Sequence, residues 1–225
     1  MLVAVDCIVF GFDANALKIL LIKRGFEPEM GKWSLMGGFV QPDESLDAAA
    51  KRILLQLTGL KDVYVEQLGS FGSPDRDPIE RTLSVAYFAL LDLKQFKPQL
   101  SDEYQAEWFD LKMMPDLIFD HANMVAEARH MLRYKASMHP LFFELLPKKF
   151  TIPQLQSLFE QVYETSFDKG NFSRKMLSTN LIIKLEEKDM SGSKKGAYYY
   201  KLNKQTYKKN FQKVLHFVPN RNALL

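Results

Sequence analysis

The 225-residue sequence predicts an α+β protein made of two parts. In the first part, apolar runs rich in β-branched residues surround one amphipathic helix, which predicts a mixed sheet flanked by helices. In the second part, two helices precede a hairpin with a basic tip. Residues 1–147 carry a net charge of −6 and residues 148–225 one of +9. The basic part indicates a polyanionic partner, although a basic surface that only confers solubility would give the same charge.

The strands of the first part follow from apolar runs and the turns that bound them. The segment Asp13-Ala14-Asn15 predicts a hairpin turn, and Gly37-Gly38 is expected to end a short strand. Pro42 and the residues up to Ser45 open a helix that is expected to end near Thr58, before Gly59. Strands are expected, in order, at residues 3–12, 16–24, 33–36, 63–68, 82–93 and 106–110.

This helix and the glycines before it carry a recognisable spacing. The stretch resembles a Nudix box, in which glycine is followed after five residues by Glu and after seven more by Arg-Glu-apolar-x-Glu-Glu-x-Gly-apolar. The matching positions are Gly38, Glu44, Arg52, Leu54, Gly59 and Leu60. The resemblance implies a Nudix α/β/α sandwich in which Glu44 pairs with Arg52.

Three positions that hold carboxylates in active Nudix hydrolases are occupied here by Ile53, Gln56 and Leu57. Their i, i+3, i+4 spacing places them on one helix face, where glutamates would bind Mg²⁺ and where these side chains offer no charged oxygen. We therefore predict no metal site, no cofactor and no enzymatic activity. Carboxylates that could rebuild a metal site elsewhere are Glu66, Glu80, Glu103 and Glu107.

A charged loop at residues 69–81 lies between two predicted strands and contains Asp75-Arg76-Asp77-Pro78. It resembles the Asp-Arg-Asp-Pro loop of the Nudix-related transcriptional regulators called NrtR-like, which borders their effector pocket. By that resemblance Arg76 and Arg81 are candidates to bind phosphate, and Asp75 and Asp77 are candidates to bind sugar hydroxyls. An ordinary solvated turn is the alternative.

The second part begins after a helix at residues 121–136, which joins the two parts and is a candidate dimer contact. We expect a linker at residues 138–147 and a capping box formed by Thr151 and Gln154. The predicted domains are residues 1–138, which sense an effector, and residues 139–225, which bind DNA.

A short helix follows Asp168, which is its predicted N-cap. Phe172, Met176 and Leu177 share one side of this helix, and the opposite side is polar and cationic. Strands at residues 181–187 and 197–202 flank a basic turn, so this part resembles a winged helix-turn-helix domain. The tyrosines at 198–200 are expected to pack rather than to stack on bases. The DNA-binding candidates are Lys169, Asn171, Ser173, Arg174, Lys175, Ser178, Lys194 and Lys195.

With residues 148–177 included, the resemblance to the NrtR-like regulators covers nearly the whole chain. It implies a homodimeric repressor that binds a palindromic operator in double-stranded DNA and responds to a small effector. Members of the family sense ADP-ribose or a related NAD metabolite, or arabinose in one branch. Because a magnesium-bound diphosphate would need the missing carboxylates, the sequence favours a pentose such as arabinose.

Two other functions remain open at the level of sequence. One is a Nudix pyrophosphatase with displaced carboxylates that acts on a nucleoside diphosphate derivative, and the other is a scaffold that binds protein. No apolar run approaches the ~20 residues of a membrane span, and the N-terminus lacks the basic start of a signal peptide. The lone Cys7 excludes an internal disulfide. We therefore expect a cytoplasmic protein without a membrane partner.

Overall fold

The computed structural model describes residues 1–94, 106–138, 140–191 and 195–209. The chain forms two compact units, one of Met1–Gly11 with Lys18–His130 and one of Phe12–Leu17 with the chain from Met131 onward. The α+β class is confirmed, and the domain boundary at residue 138 stays a prediction. None of the helices in the described ranges is both long and apolar enough to cross a membrane.

The front of the chain contains seven strands and two α-helices in the described residues. A 3₁₀ helix at Leu111–Met113 precedes the second of these helices. The elements are β1 (Leu2–Phe12), β2 (Leu17–Lys23), β3 (Trp33–Ser34), β4 (Met36–Phe39), α1 (Leu46–Thr58), β5 (Tyr64–Phe71), β6 (Thr82–Asp92), β7 (Glu107–Asp110) and α2 (His121–Met138).

The described strands form one seven-stranded sheet with the order β3-β2-β1-β6-β5, in which β4 also pairs with β1 and β7 with β2. The prediction that Gly37-Gly38 ends a strand is wrong, because both glycines lie in β4 and pair with Asp6 and Val5 of β1. A Cβ atom on Gly37 would lie 2.3 Å from Asp6 Oδ1. Only glycine therefore allows β4 to approach β1 at its acidic residue.

Helix α1 begins and ends where its local sequence predicts. Ser45 is the N-cap and its hydroxyl accepts a hydrogen bond from the backbone N–H of Ala48 at 3.2 Å. At the other end Gly59 adopts a φ of 69°, and its N–H donates to the carbonyl of Leu55. The buried face of α1 packs Ile53 and Leu54 into the core of the first unit. Burying such a side chain contributes about 1.5–3 kcal/mol.

The second unit consists of helices packed with a small sheet. A 3₁₀ helix at Pro140–Leu145 comes first. It is followed by β8 (Phe150–Thr151), α3 (Ile152–Tyr163), α4 (Lys169–Ser178), β9 (Ile182–Asp189), β10 (Ala197–Leu202) and α5 (Lys204–Lys209). The three strands pair antiparallel in the order β8-β10-β9. The predicted succession of two helices and a hairpin is confirmed.

The prediction of a linker at residues 138–147 is wrong. Phe142, Leu145 and Leu146 are buried, and the ring centroid of Phe142 lies 4.8 Å from that of Phe159 in α3. The apolar residues of this segment are therefore core residues of the second unit. The capping box of α3 is confirmed, because Thr151 N–H donates to Gln154 Oε1 at 2.9 Å and Gln154 N–H donates to Thr151 Oγ1 at 3.4 Å.

Candidate functional site

A cavity of about 400 Å³ lies in the first unit, beside the glycines of β4. This volume is within the range of small-molecule sites in proteins. Three aromatic rings line the cavity, those of Phe26, Phe39 and Phe119. The charged or titratable groups in its wall are Asp6, Lys23, Arg24, Arg76, Asp77 and His121. The cavity therefore offers both flat apolar surfaces and fixed charges to a ligand.

Arg76 of the charged loop lines this cavity, but its guanidinium is already occupied by two carboxylates. Its Nε donates to Asp120 Oδ2 at 3.0 Å, and its Nη2 donates to Asp120 Oδ1 at 2.9 Å. The same Nη2 lies 3.5 Å from Asp6 Oδ2, which also accepts a hydrogen bond from Ser84 Oγ at 2.5 Å. Arg76 thus joins β1, the charged loop and the residue before α2 in one buried network.

His121, the first residue of α2, extends this network in a defined protonation state. Leu35 N–H donates to His121 Nδ1 at 3.2 Å, so that nitrogen is the unprotonated acceptor. The other nitrogen, Nε2, therefore carries the proton and faces Asp6 Oδ1 at 3.7 Å. Burial lowers the pKa of His121 below its ordinary value, which the carboxylates of Asp6 and Asp120 only partly oppose. The imidazole is neutral at physiological pH.

The other candidates from the charged loop occupy different positions. Asp77 lines the cavity. Asp75 and Arg81 are exposed, and neither of them lines the cavity. Arg81 donates to the backbone carbonyls of Gly72, Ser73 and Thr82, at 2.9, 3.2 and 3.4 Å. Arg81 therefore links the beginning of the charged loop to its end through these hydrogen bonds. The structure brings two of the four predicted effector residues, Arg76 and Asp77, into one cavity.

Two cationic residues of the cavity were missed by the sequence analysis. Lys23 ends β2 and Arg24 follows it directly, in a segment that matches no motif. The guanidinium of Arg24 lies over the ring of Phe26, 4.0 Å from its centroid, and its Nε donates to the carbonyl of Phe26 at 3.1 Å. A basic pair at the end of a buried strand was the available signal, but such pairs are frequent on protein surfaces.

The Nudix family implies Mg²⁺ at α1, and the side chains present there do not fit it. Leu57 lines the cavity, Ile53 is buried against Gly38, and Gln56 is exposed. Mg²⁺ requires oxygen donors, of which the first two side chains have none and the third has one neutral amide. Among the described residues no group of three or more His, Cys, Asp or Glu side chains could hold a metal ion.

The predicted pairing of Glu44 with Arg52 is present. Arg52 Nε donates to Glu44 Oε2 at 2.9 Å, and Arg52 Nη2 donates both to Glu44 Oε1 at 2.5 Å and to the carbonyl of Phe39 at 3.0 Å. The hydrogen bonds from Arg52 to Glu44, with one from Gln41 N–H, lower the pKa of Glu44 to about 2. The pair connects α1 to the end of β4 and thereby keeps the cavity wall in place.

Helix α4 of the second unit presents most of the predicted DNA-binding side chains to solvent. Its N-cap is Asp168, which accepts from Asn171 N–H at 2.8 Å. Arg174 donates to the amide oxygen of Asn171 and, through Nε, to the carbonyl of Gly170 at 3.4 Å. Ser173 is half-buried and Ser178 donates to the carbonyl of Lys175 at 2.8 Å. The exposed candidates on this helix are Lys169, Asn171, Arg174, Lys175 and Ser178.

The buried side of α4 is narrower than the sequence predicts. Phe172 and Met176 are buried, and the ring centroids of Phe172 and Phe159 lie 5.5 Å apart. Leu177 was assigned to the same side, but it is 42% exposed. Leu177 therefore does not belong to the buried side that Phe172 and Met176 form.

The hairpin of β9 and β10 places further lysines on one face. Lys184 Nζ and Lys188 Nζ lie 3.6 and 4.6 Å from the ring centroid of Tyr198, so this ring is flanked by two cations that the sequence analysis missed. Of the predicted pair at the tip, Lys195 is exposed, and Lys194 lies outside the described residues. Two lysines four residues apart, in a strand that precedes the tyrosines at 198–200, were the signal available in the sequence.

Comparisons with known proteins match both units. A NUDIX domain model matches residues 1–133, and a model of the NrtR DNA-binding winged helix domain matches residues 142–202. The chain is 34% identical over 220 residues to the ADPR responsive transcriptional repressor NtrR of Acinetobacter baylyi, which covers 96% of this chain and 88% of that protein. It is 37% identical over 126 residues to an ADP-ribose pyrophosphatase of Methanocaldococcus jannaschii, over 56% of this chain and 71% of that protein.

Solved structures of one protein extend this similarity to three dimensions. The structure of Shewanella oneidensis NrtR complexed with a 27mer DNA has a TM-score of 0.79 at 30% identity, over 92% of this chain and 96% of that one. The NUDIX domain of the same protein, complexed with ADP ribose, has a TM-score of 0.53 at 33% identity, over 59% of this chain and 88% of that one. The similarity therefore includes both the cavity and helix α4.

Proposed function

Because this chain belongs to the NrtR regulators, which join a NUDIX domain to an NrtR DNA-binding winged helix domain, we propose that it is a transcriptional repressor controlled by ADP-ribose. The observation that carries the proposal is the similarity, along 96% of the chain, to a repressor that responds to ADPR. The resemblance stated from the sequence is thereby confirmed at the level of the family.

ADP-ribose replaces the pentose that the sequence favours. The Acinetobacter baylyi repressor is named for its response to ADPR, and the NUDIX domain of Shewanella oneidensis NrtR has been solved in complex with ADP ribose. None of the relatives named above is named for a pentose or solved with one. The cavity supports this ligand, because the rings of Phe26 and Phe39 can stack on adenine and Asp77 can accept hydrogen bonds from ribose hydroxyls. A pentose alone would offer no anionic group to Lys23 and Arg24 of the cavity.

Helix α4 and the hairpin are the proposed DNA interface. Arg174 can donate two hydrogen bonds to guanine, and Asn171 can read adenine through its amide. Lys169, Lys175 and Lys195 are positioned on the exposed surface to bind phosphates, which gives affinity without sequence preference. A homodimer on a palindromic operator is part of the same proposal, since a two-fold protein matches a two-fold site.

We further propose that the NUDIX domain binds its ligand without hydrolysing it. The support is the replacement of three carboxylates by Ile53, Gln56 and Leu57 on the helix face that would hold Mg²⁺. The alternative is a pyrophosphatase, which the similarity to the Methanocaldococcus jannaschii enzyme favours. Magnesium-dependent release of AMP from ADP-ribose, measured by chromatography, would establish the alternative.

The decisive experiment selects genomic fragments with the purified chain and measures binding to the selected site by fluorescence anisotropy. We expect specific binding that ADP-ribose changes. Arg174→Ala should abolish operator binding and leave the affinity for ADP-ribose unchanged, whereas Lys51→Ala, an exposed lysine of α1, should change neither. Failure to enrich any fragment would refute the repressor assignment, and equal loss of both affinities in Arg174→Ala would refute the division of labour.

A further inference from the structure

Two cations of the ligand cavity form no direct ion pair with a carboxylate among the described residues. In the described part of the chain, no ion pair is formed by Lys23 or by Arg24. Burial lowers the pKa of Arg24, and the more distant charges of Asp77 and Asp6 oppose that shift without forming a direct contact. The third cation of the cavity, Arg76, differs because Asp120 and Asp6 bind it. The positive charge that remains available to an anionic ligand is therefore concentrated at the end of β2.

Aromatic rings hold these two cations in place without neutralising them. The guanidinium of Arg24 lies 4.0 Å from the ring centroid of Phe26 and 5.3 Å from that of Phe119. Lys23 Nζ lies 5.1 Å from the ring centroid of Trp33. Cation–π contacts orient a charged group but leave its charge intact. Both residues line the cavity, where their cationic groups can donate hydrogen bonds to an anion.

The diphosphate of ADP-ribose carries a negative charge on each phosphate, and these charges need a counterpart inside the protein. In a Nudix enzyme a divalent metal on the box helix supplies it. Here Leu57 occupies the cavity wall at that position, and the described residues contain no cluster of metal ligands. Lys23 and Arg24 offer two positive charges to the two phosphate charges, and charge-assisted hydrogen bonds from lysine and arginine are strong at such sites.

We propose that Lys23 and Arg24 bind the diphosphate directly, so that this chain recognises ADP-ribose without a divalent metal. The inference rests on the proposed function, since it concerns how the cavity binds that ligand. It makes the response to ADP-ribose independent of the free magnesium concentration. The two residues are binding residues of the effector and have no role in a chemical step.

The test is calorimetric titration of the intact protein with ADP-ribose, first in excess Mg²⁺ and then in EDTA. We expect the two dissociation constants to agree within about two-fold, because no metal contributes to the complex. A requirement for Mg²⁺, seen as a loss of affinity of about ten-fold or more in EDTA, would overturn the metal-independent mode. If ADP-ribose does not bind under either condition, the proposed effector and this inference both fail.

Variants identify the residues that bind the anion. Arg24→Ala and Lys23→Met should each weaken ADP-ribose binding by about ten-fold or more, and Arg24→Lys should recover part of the loss. Adenosine, which has no phosphate, is the matched probe, and its affinity should not change in any of these variants. Lys51→Ala controls for the general loss of a positive charge. Equal weakening of ADP-ribose and adenosine, or normal ADP-ribose binding by both variants, would contradict the assignment.

Discussion

Arg76 donates two hydrogen bonds to the carboxylate of Asp120, at 3.0 and 2.9 Å, although 44 residues separate them along the chain. Arg76 lines the cavity, and Asp120 directly precedes α2. A ligand that competes with Asp120 for this guanidinium therefore acts on the start of α2. Such a ligand can shift the equilibrium between the intact and the broken Arg76–Asp120 contact only by the difference between its affinities for these two states.

The first prediction concerns the stability that this ion pair contributes. Arg76→Ala should lower the free energy of unfolding by about 3 kcal/mol, because it leaves Asp6 and Asp120 without their buried cation. Arg81→Ala in the same loop should cost about 1 kcal/mol or less, since Arg81 is exposed and its hydrogen bonds to described residues go to backbone carbonyls. Urea unfolding followed by circular dichroism measures both. Similar losses in the two variants would show that the buried network contributes no more to the free energy of unfolding than the exposed hydrogen bonds of Arg81.

The second prediction concerns the approach of β4 to β1. Gly37→Ala should destabilise the chain by roughly 1–3 kcal/mol, because the new Cβ would lie 2.3 Å from Asp6 Oδ1 and Ser84 restrains that carboxylate. Gly69→Ala is the control, since a Cβ there would meet nothing within 4 Å. Thermal unfolding of both variants tests the contact, and equal melting temperatures would contradict it.

The third prediction is a pH dependence at the Nudix box. The pKa of Glu44 is about 2 in the folded chain and about 4.3 in an unfolded one, so its contribution to stability is present above pH ~4.5 and is lost as pH falls towards 2. Glu44→Gln should therefore melt below the unaltered protein at pH 7. The gap should narrow as both are acidified from pH ~4.5 towards 2. A difference in melting temperature that stays constant over that range would show that the charge of Glu44 does not stabilise the folded protein.

The fourth prediction concerns the lysines of the hairpin. If Lys184 and Lys188 bind phosphates, alanine at either position should weaken operator binding. The negative slope of log K against log salt should become shallower by about 0.9. Tyr198→Leu should weaken binding with a smaller change in slope, because it removes the ring between the cations and leaves their charges. Lys51→Ala should leave the slope unaltered. Salt titrations by fluorescence anisotropy measure all four, and unchanged slopes at 184 and 188 would exclude phosphate contact there.

Local sequence predicts most of the secondary structure of this chain. Ser45 and Gly59 delimit α1, Thr151 with Gln154 begins α3, and Asp168 begins α4, as expected from capping preferences. These features are readable because the hydrogen bonds involved join residues three or four positions apart. The errors arise where a local signal competes with tertiary packing. The clearest cases are the glycines of β4, the buried segment around Phe142 and the exposed Leu177.

Some residues of the candidate site are likewise predictable from the sequence, whereas others are identified only in the folded structure. The loop residues Arg76 and Asp77 are predicted from their motif, and both line the cavity. The motif does not reveal that Asp120 and Asp6 already bind Arg76, nor that Arg81 closes its own loop. Those partners come from distant parts of the chain, so no spacing rule connects them. Lys23 and Arg24 carry no motif at all, and only the folded sheet brings them to the cavity.

The sequence by itself determined the family, the order of helices and strands, and the loss of the carboxylates that would hold Mg²⁺. Each of these depends on residue identity at fixed short spacings, which the chain carries before it folds. The tertiary structure decided which cations face the cavity, which arginine is neutralised, and which side of α4 is exposed. These outcomes depend on contacts between segments far apart in the chain, where packing and charge pairing, rather than local propensity, set the final partners.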